Sequence, residues 1–561
     1  MKDNHFDAIV VGSGITGGWA AKELTEKGLK TLMLERGRNV EPGKDYVTEH
    51  KREPDFHFRG KGDRKRFQHD QPIQSITGQH NESTHHFFIN DRDNPYTNDK
   101  DKPFVWIRGH QLGGRSLMWT RQTYRWTERD FNANAEDGLA EPWPINYKEI
   151  EPWYDYVEKF VGISGEANVS DELPHGQLLP PMELNAAEKK LRAGINQHFP
   201  ERKLTVARQA VLTAPHNGRP PCHYCGTCAR GCSAGSYFST QSSTLPAAKR
   251  TGNLTLATNS IVHSIIFDES TDKATGVRVI DSETREVTEY FSKIVFLCAS
   301  AFESVRLLFN SKTPRFSDGL GNSSGVLGHY IMDHNFGAGA RGHVEGIDSR
   351  YFNGHRPCGI VIPRFRNVKS KHPDFVRGYQ LGGQGRQLGW SRGSQQVGIG
   401  SELKQQLRDP GVWQMRLSGA GECLPRYENH VRINPDVTDA WGIPVLHFSA
   451  DWSSNETAMR KDMISSAEEM LDAAGFTDIE TYDTPVAPGQ YIHEMGGARM
   501  GSDPKKSVLN AYNQCHDVPN LFITDGASMA SSSNQNPSLT YMALTARAVN
   551  YAVNELRRGN I

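Results

Sequence analysis

Residues 7–37 read DAIVVGSGITGGWAAKELTEKGLKTLMLERG, and this stretch limits the possible fold more than any other. An apolar run, Ala8 to Val11, has the character of a buried strand and enters a glycine turn, Gly12-Ser13-Gly14-Ile15-Thr16-Gly17. A helical pattern with Trp19, Ala20, Ala21 and Leu24 follows and is stopped by Gly28. A second strand runs from Lys30 to Leu34 and ends on Glu35. A βαβ unit of about thirty residues in this order matches the dinucleotide-binding fingerprint. Gly12 permits the tight turn, Gly14 lets backbone amides approach a pyrophosphate at the positive end of the helix dipole, and Gly17 lets the helix pack on the strand. Glu35 stands where a carboxylate accepts hydrogen bonds from ribose hydroxyls and repels a 2′-phosphate. FAD or NAD fits this pattern, and NADP fits it poorly.

The rest of the chain sets the scale. Its 561 residues predict three or four domain-sized units, or one large two-domain enzyme. Hydrophobic residues at 37% and charged residues at 23% are enough for a substantial core, which argues against a disordered chain. A net charge of −1 gives no global reason to bind nucleic acid or an acidic membrane. No apolar run approaches the ~18 residues of a membrane span. The opening Met1-Lys2-Asp3-Asn4-His5-Phe6-Asp7 leaves no room for a signal peptide before the first strand. The expectation is a cytoplasmic chain, or one exported on another chain's signal.

Helical periodicity marks 147–161, 186–198 and 455–474. Strand-like alternation runs from Asn253 to Ile280, and 293–299 is a buried strand leading into a short helix through Leu308. Residues 41–105 are polar and predict irregular excursions. The C-terminal stretch predicts a strand (Asn520 to Thr524), a turn at Asp525-Gly526 and a long helix from Ser538.

Four of the eight cysteines fall within eleven residues, as Cys222-x2-Cys225-x2-Cys228-x3-Cys232. Thiolates at this spacing on a looped backbone can wrap one iron–sulfur cluster. Zinc ribbons use two CxxC knuckles ~15–20 residues apart, which this run lacks. Zinc and free thiols remain the alternatives.

No second GxGxxG unit is present for a nicotinamide. Instead VGSGITGG, RGHQLGGRSLMW at 108–119, KIVFLCASAFESVRLL, GHYIMDH at 328–334 and the C-terminal block HEMGGARMG…NLFITDGASMASSSNQNPSLTYMALTARAVNYAV span nearly the whole chain. Together they resemble the glucose–methanol–choline (GMC) oxidoreductases. The resemblance implies an α/β chain, α+β overall, with a Rossmann-type FAD-binding domain and an antiparallel-sheet substrate domain. The FAD-binding parts would be 1–40, 101–135, 240–330 and 491–561. The substrate domain would take 136–215 and 331–490, with a cysteine insertion at 216–239 and an irregular excursion at 41–100. By resemblance, FAD would lie against Gly12, Gly14, Ile15, Thr16, Gly17, Glu35 and Arg36. It would also meet Gly113, Gly114, Ser116, Met118, Val262, Asp525, Gly526, Asn536 and Pro537. The segment Ser116–Thr120 holds no His, so non-covalent FAD is expected.

His493 and Asn536 match the family's catalytic pair, with Asn534 the rival for the second place. A neutral His can accept a hydroxyl proton near pH 7 while hydride leaves for flavin N5, and Asn536 can orient the oxygen. Asn536 is also expected to cap the last helix, with its dipole aimed at the flavin.

The chain further resembles a GMC subgroup of bacterial sugar dehydrogenases whose catalytic subunit carries a 3Fe–4S cluster. Cys222, Cys228 and Cys232 match that subgroup's spacing. Cys225 is extra, so a 4Fe–4S cluster is not excluded. The resemblance implies single-electron export to a cytochrome c and a small partner subunit with a twin-arginine signal. Location would then be periplasmic by co-export, or cytoplasmic without the partner. The segment GGRSLMWTRQTYRW looks most like glucoside 3-dehydrogenases, which oxidise the C3 hydroxyl of glucosides or disaccharides. Glucose 1-, gluconate 2- and fructose dehydrogenase subunits are the alternatives, followed by a GMC oxidase for a non-sugar alcohol, a lyase with a redox-silent flavin, or a non-catalytic flavoprotein. Trp390, Trp413 and Gln414 are candidates for the sugar-facing wall, although a core role suits any one of them better.

Overall fold

The first strand, β1 (His5–Val11), buries Ala8, Ile9, Val10 and Val11 in succession, so it lies in a sheet covered on both faces. The computed structural model describes residues 4–347, 354–389, 392–393, 396–408 and 411–561. The helix α1 (Ile15–Glu26) connects β1 to β2 (Thr31–Leu34). Far along the chain come β3 (Leu254–Ala257), β4 (Ser260–Asp268), β5 (Lys273–Asp281) and β6 (Val287–Leu297), followed by α2 (Ala301–Asn310). The last elements are β7 (Leu521–Ile523) and α3 (Ser538–Arg558). The parallel core runs in the order β3–β2–β1–β6–β7. An antiparallel meander of β4 and β5 leans on the first half of β6.

Strand alternation sends side chains to two different layers. Ala8, Val10, Met33, Ile294, Phe296 and Phe522 face α1 and α3, meeting Ala20, Ala21, Leu24, Ala548, Val549 and Ala552. Ile9, Val11, Leu32, Val295 and Leu297 face the opposite layer, where Phe302, Val305 and Leu308 of α2 pack. Because the core strands are parallel, the residues that follow β1, β2, β6 and β7 emerge along one edge. They are Gly12, Glu35, Cys298 and the Thr524-Asp525 pair. That edge is where open α/β sheets bind ligands.

A second sheet has six antiparallel strands in the order 477–483, 335–344, 413–421, 379–387, 360–362 and 205–206. The helix Ser454–Ala473 covers it, setting Met459, Met463, Ala467 and Met470 against Tyr379, Met415 and Leu417. The antiparallel substrate sheet expected from the resemblance is therefore present.

Several local expectations change in three dimensions. Residues 41–100 are not wholly irregular. They hold a helix, Arg64–Asp70, whose first turn is capped by Asp63 accepting from the Lys65 and Arg66 backbone. The helix Tyr147–Val161, expected in the substrate unit, packs Ile150, Tyr154 and Val157 into the main core, and its Tyr154 hydroxyl meets Thr540 at 2.8 Å. The strand Pro444–Ser449 likewise sends Phe448 between Phe104 and Phe302. Trp413 is buried within the second sheet, and Gln414 is engaged by His343 and Arg386, so neither lines the main cavity. Trp390 lies outside the described residues. No described helix is long and apolar enough to cross a membrane.

Candidate active site

The ends of the parallel strands open into one large cavity. Its wall includes Gly12, Gly14, Ile15, Thr16, Glu35, Arg36, Gly114, Ser116, Met118 and Val262, with Asp525, Gly526, His493, Asn536 and Pro537. Gly17 and Gly113 shape this wall without lining it. A Cβ on Gly17 would strike the Gly12 carbonyl oxygen. Gly113, at φ +90°, donates its N–H to the Ser13 hydroxyl at 2.9 Å.

These residues fit FAD. A Cβ on Gly14 would meet nothing within 4 Å, so the backbone there is open to a close-approaching pyrophosphate. Glu35 is buried, and burial pushes its carboxyl above the usual range. The carboxylate accepts from Ser13 N at 3.2 Å, from the Ser13 hydroxyl and from Gly37 N at 2.8 Å, which pins it at the end of β2. Among the described residues, buried Asn536 Oδ1 has no hydrogen-bond partner and sits on the cavity wall, and Glu303 Oε1, also on it, has only Arg108 and His110 near it, at 3.7 and 4.0 Å. Acceptors in that state call for donors from a ligand.

At the other end, the structure brings His493 and Asn536 together. Asn536 Nδ2 lies 3.3 Å from His493 Nε2. Asn534 turns its amide to Arg364 instead, 2.7 Å from Nε, and so takes no part in the pair. Desolvation, with His334 and Arg115 adding to it, holds the His493 imidazole well below its usual pKa. The ring is therefore neutral at physiological pH, the state a proton acceptor requires. Ile492, just before it, has φ +68°, a conformation that a β-branched residue adopts only under constraint. The constraint comes from Asp333, whose carboxylate accepts from Gly489 N at 2.8 Å, Tyr491 N at 3.0 Å and His493 N at 3.1 Å.

Asn536 does not cap the last helix. Pro537 occupies the position ahead of Ser538, and no side chain satisfies the first turn. The Asn536 side chain turns to the cavity, with Nδ2 towards His493 and Oδ1 without a partner among the described residues.

Three residues not foreseen belong to this end. His334 Nδ1 lies 2.8 Å from His493 Nδ1. Tyr491 packs its ring against both histidines, at centroid separations of 5.5 and 4.7 Å. Arg115 forms a forked ion pair with Glu494. A signal for His334 was available, since it ends the GHYIMDH segment.

None of the four loop cysteines lines the cavity. Cys225 is exposed, whereas Cys222, Cys228 and Cys232 are half-buried against the second core. Burial, with the neighbouring thiols adding, pushes the Cys222 thiol up to about 11. Among the described residues, no three His, Cys, Asp or Glu side chains converge as a metal-ligand set.

Comparison with known proteins agrees with the geometry. The N-terminal GMC oxidoreductase family model matches residues 6–335, and the C-terminal one matches 425–545. The chain is 28% identical to 2-methyl-1,2-propanediol dehydrogenase of Mycolicibacterium austroafricanum, over 97% of this chain and 94% of that protein. It is 25% identical to the fructose dehydrogenase large subunit of Gluconobacter japonicus (99% and 98% covered). The gluconate 2-dehydrogenase flavoprotein of Pantoea cypripedii is also 25% identical (96% and 92%). In fold it is similar to pyridoxine 4-oxidase from Mesorbium loti, with a TM-score of 0.61 at 16% identity over 98% of this chain and 99% of that one. With the nucleotide turn, the strand-end cavity and the His493–Asn536 pair in one molecule, this chain belongs to the GMC oxidoreductases, FAD-dependent enzymes that act on alcohol and sugar CH–OH groups.

Proposed function

We propose that the chain is an acceptor-linked dehydrogenase for a sugar hydroxyl, in its sharpest form the C3 hydroxyl of a glucoside or disaccharide. The observation that carries the chemistry is the neutral His493 beside the Asn536 amide on the cavity wall. Bound FAD would supply the hydride acceptor. His493 takes the hydroxyl proton at Nε2, so the O–H bond breaks as an N–H bond forms. The Asn536 N–H, now at 3.3 Å from Nε2, donates to the oxygen and steadies its growing negative charge. The likeness to fructose dehydrogenase and gluconate 2-dehydrogenase subunits favours a sugar. The likeness to 2-methyl-1,2-propanediol dehydrogenase supports a second reading, a small diol.

The iron–sulfur part of the proposal rests on cysteine spacing alone, and iron and acid-labile sulfide content tests it. Cytochrome c as acceptor, a small export subunit and a periplasmic location belong to the same reading. Co-purification after co-expression with such a subunit tests those three.

The deciding experiment is anaerobic titration of the FAD-loaded protein with methyl glucoside, glucose, gluconate, fructose and 2-methyl-1,2-propanediol, following flavin absorbance. Bleaching by methyl glucoside, whose C1 is blocked, supports oxidation of a ring hydroxyl. Bleaching by the diol alone overturns the sugar reading. His493→Ala is expected to slow reduction ~10²–10⁴-fold with FAD still bound.

A further inference from the structure

We propose that His334 is a positioning residue that fixes the tautomer of His493, keeping the proton on Nδ1 and the lone pair on Nε2. The inference rests on the reading of His493 as the proton acceptor. The two Nδ1 atoms are 2.8 Å apart, so one must donate and the other accept. The surroundings decide which. On the far side of His493, an amide nitrogen of Asn536 approaches Nε2 at 3.3 Å, and an N–H donor meets a ring nitrogen favourably only when that nitrogen is bare. On the far side of His334, Nε2 is buried with no hydrogen-bond partner among the described residues, so the Asn536 contact decides the pair. His334 then carries its proton on Nε2 and offers its Nδ1 lone pair to His493, whose own Nε2 faces the cavity unprotonated. The opposite tautomer would set two donors against each other at Asn536.

The geometry holds this arrangement in place. His334 is 1% exposed, and the two rings stand perpendicular. Asp333, adjacent in sequence, clamps the His493 backbone, and the Tyr491 ring covers both imidazoles. The other charged side chains acting on this pair are Arg115, paired with Glu494, and Asp130, paired with Arg364. When His493 takes a proton at Nε2, the new cation keeps its Nδ1–H bond to His334 and needs no reorientation.

The test uses FAD-loaded wild-type protein, His334→Ala and His334→Asn, whose amide oxygen can replace the lost acceptor. Ring nitrogen-15 shifts in histidine-labelled protein, with His493 assigned by loss of its signals in His493→Asn, are expected to show Nδ1 protonated and Nε2 bare in the wild type. In His334→Ala the limiting rate of flavin reduction is expected to fall ~10²-fold while the sugar Kd stays within about 2-fold, and His334→Asn should regain most of the loss. A wild-type His493 protonated on Nε2 overturns the proposal. So does a His334→Ala reduction rate within about 2-fold of wild type, or no recovery in a folded His334→Asn. If no alcohol reduces the wild-type flavin, the function reading fails separately, and the nitrogen shifts still decide the tautomer.

Discussion

Arg115 and Glu494 meet through two hydrogen bonds, Nη1 to Oε1 at 2.8 Å and Nη2 to Oε2 at 2.6 Å. The pair joins the turn after Gly113-Gly114 to the loop that carries His493. The Glu494 side chain is 2% exposed, so its charge depends on the guanidinium. Removing one partner of such a pair strands a buried charge, whereas replacing both with apolar groups can cost little. Arg115→Met is therefore expected to destabilise the fold by about 3–5 kcal/mol in denaturant unfolding, and Arg115→Met/Glu494→Met to regain most of it. A single-variant loss below about 1 kcal/mol would place this pair with exposed ion pairs and remove its structural role.

The three glycines of the first turn should separate folding from cofactor binding. A Cβ at Gly12 would strike the Cys298 backbone, and one at Gly17 the Gly12 carbonyl. A Cβ at Gly14 would meet no protein atom within 4 Å. Gly12→Ala and Gly17→Ala are thus expected to lower the apoprotein melting temperature. Gly14→Ala should melt close to wild type but bind FAD at least ~10-fold more weakly, because the methyl group occupies the pyrophosphate's approach. Equal FAD affinity for Gly14→Ala and wild type, by fluorescence titration, would falsify this division of roles.

What could be read along the chain was what is local. The helices Tyr147–Val161 and Ala186–His198 stand where their periodicity put them, because each begins with a reciprocal capping box, Asn146 with Glu149 and Asn185 with Glu188. The first βαβ unit was legible for the same reason. The second sheet was harder to see, since its strands carry glycine where strands usually carry branched residues, as in YQLGGQGRQ. Three-dimensional packing explains two of these glycines. The helix Ser454–Ala473 comes so close that a Cβ at Gly419 would strike Met463 and one at Gly421 would strike Met459. In the site, His493 and Asn536 were found through their own segment. His334 escaped because its role depends on a partner 159 residues away. The last helix starts at Ser538 as its pattern predicted, and only the cap was misassigned, to Asn536 in place of Pro537.

The excursion at 41–100 should loosen in acid. Burial, with the charge of His85 adding, lowers His80 and His86 to about 4, and burial lowers His85 as well. A histidine with a depressed folded pKa leaves more protons on the unfolded chain once pH falls below 6.5. Its contribution to stability is therefore intact above about pH 6.5 and is lost as pH falls towards 4. Hydrogen exchange in this segment is expected to rise between pH 7 and 5 by more than it does in β1 or β6. His80→Phe, which keeps the ring packing against Phe67 and Phe88, should reduce that difference. Uniform acceleration across the chain would point to global unfolding instead.

The cysteine loop offers a test that does not depend on activity. As free thiols the four should react in order of exposure, Cys225 first. Cys222 should lag because burial raises its thiol to about 11, leaving little thiolate at neutral pH. Cys228 is raised by burial too and should lag with it. With a cluster bound, its ligand thiolates would be masked until iron is removed. On protein purified anaerobically, the iron–sulfur proposal expects iron and sulfide together with at least three protected cysteines. Cys222, Cys228 and Cys232 should then become labelled only after chelation. Graded labelling of all four without chelator, in protein that contains no iron, would end that proposal and leave the cysteines as thiols of a loop packed on the second core.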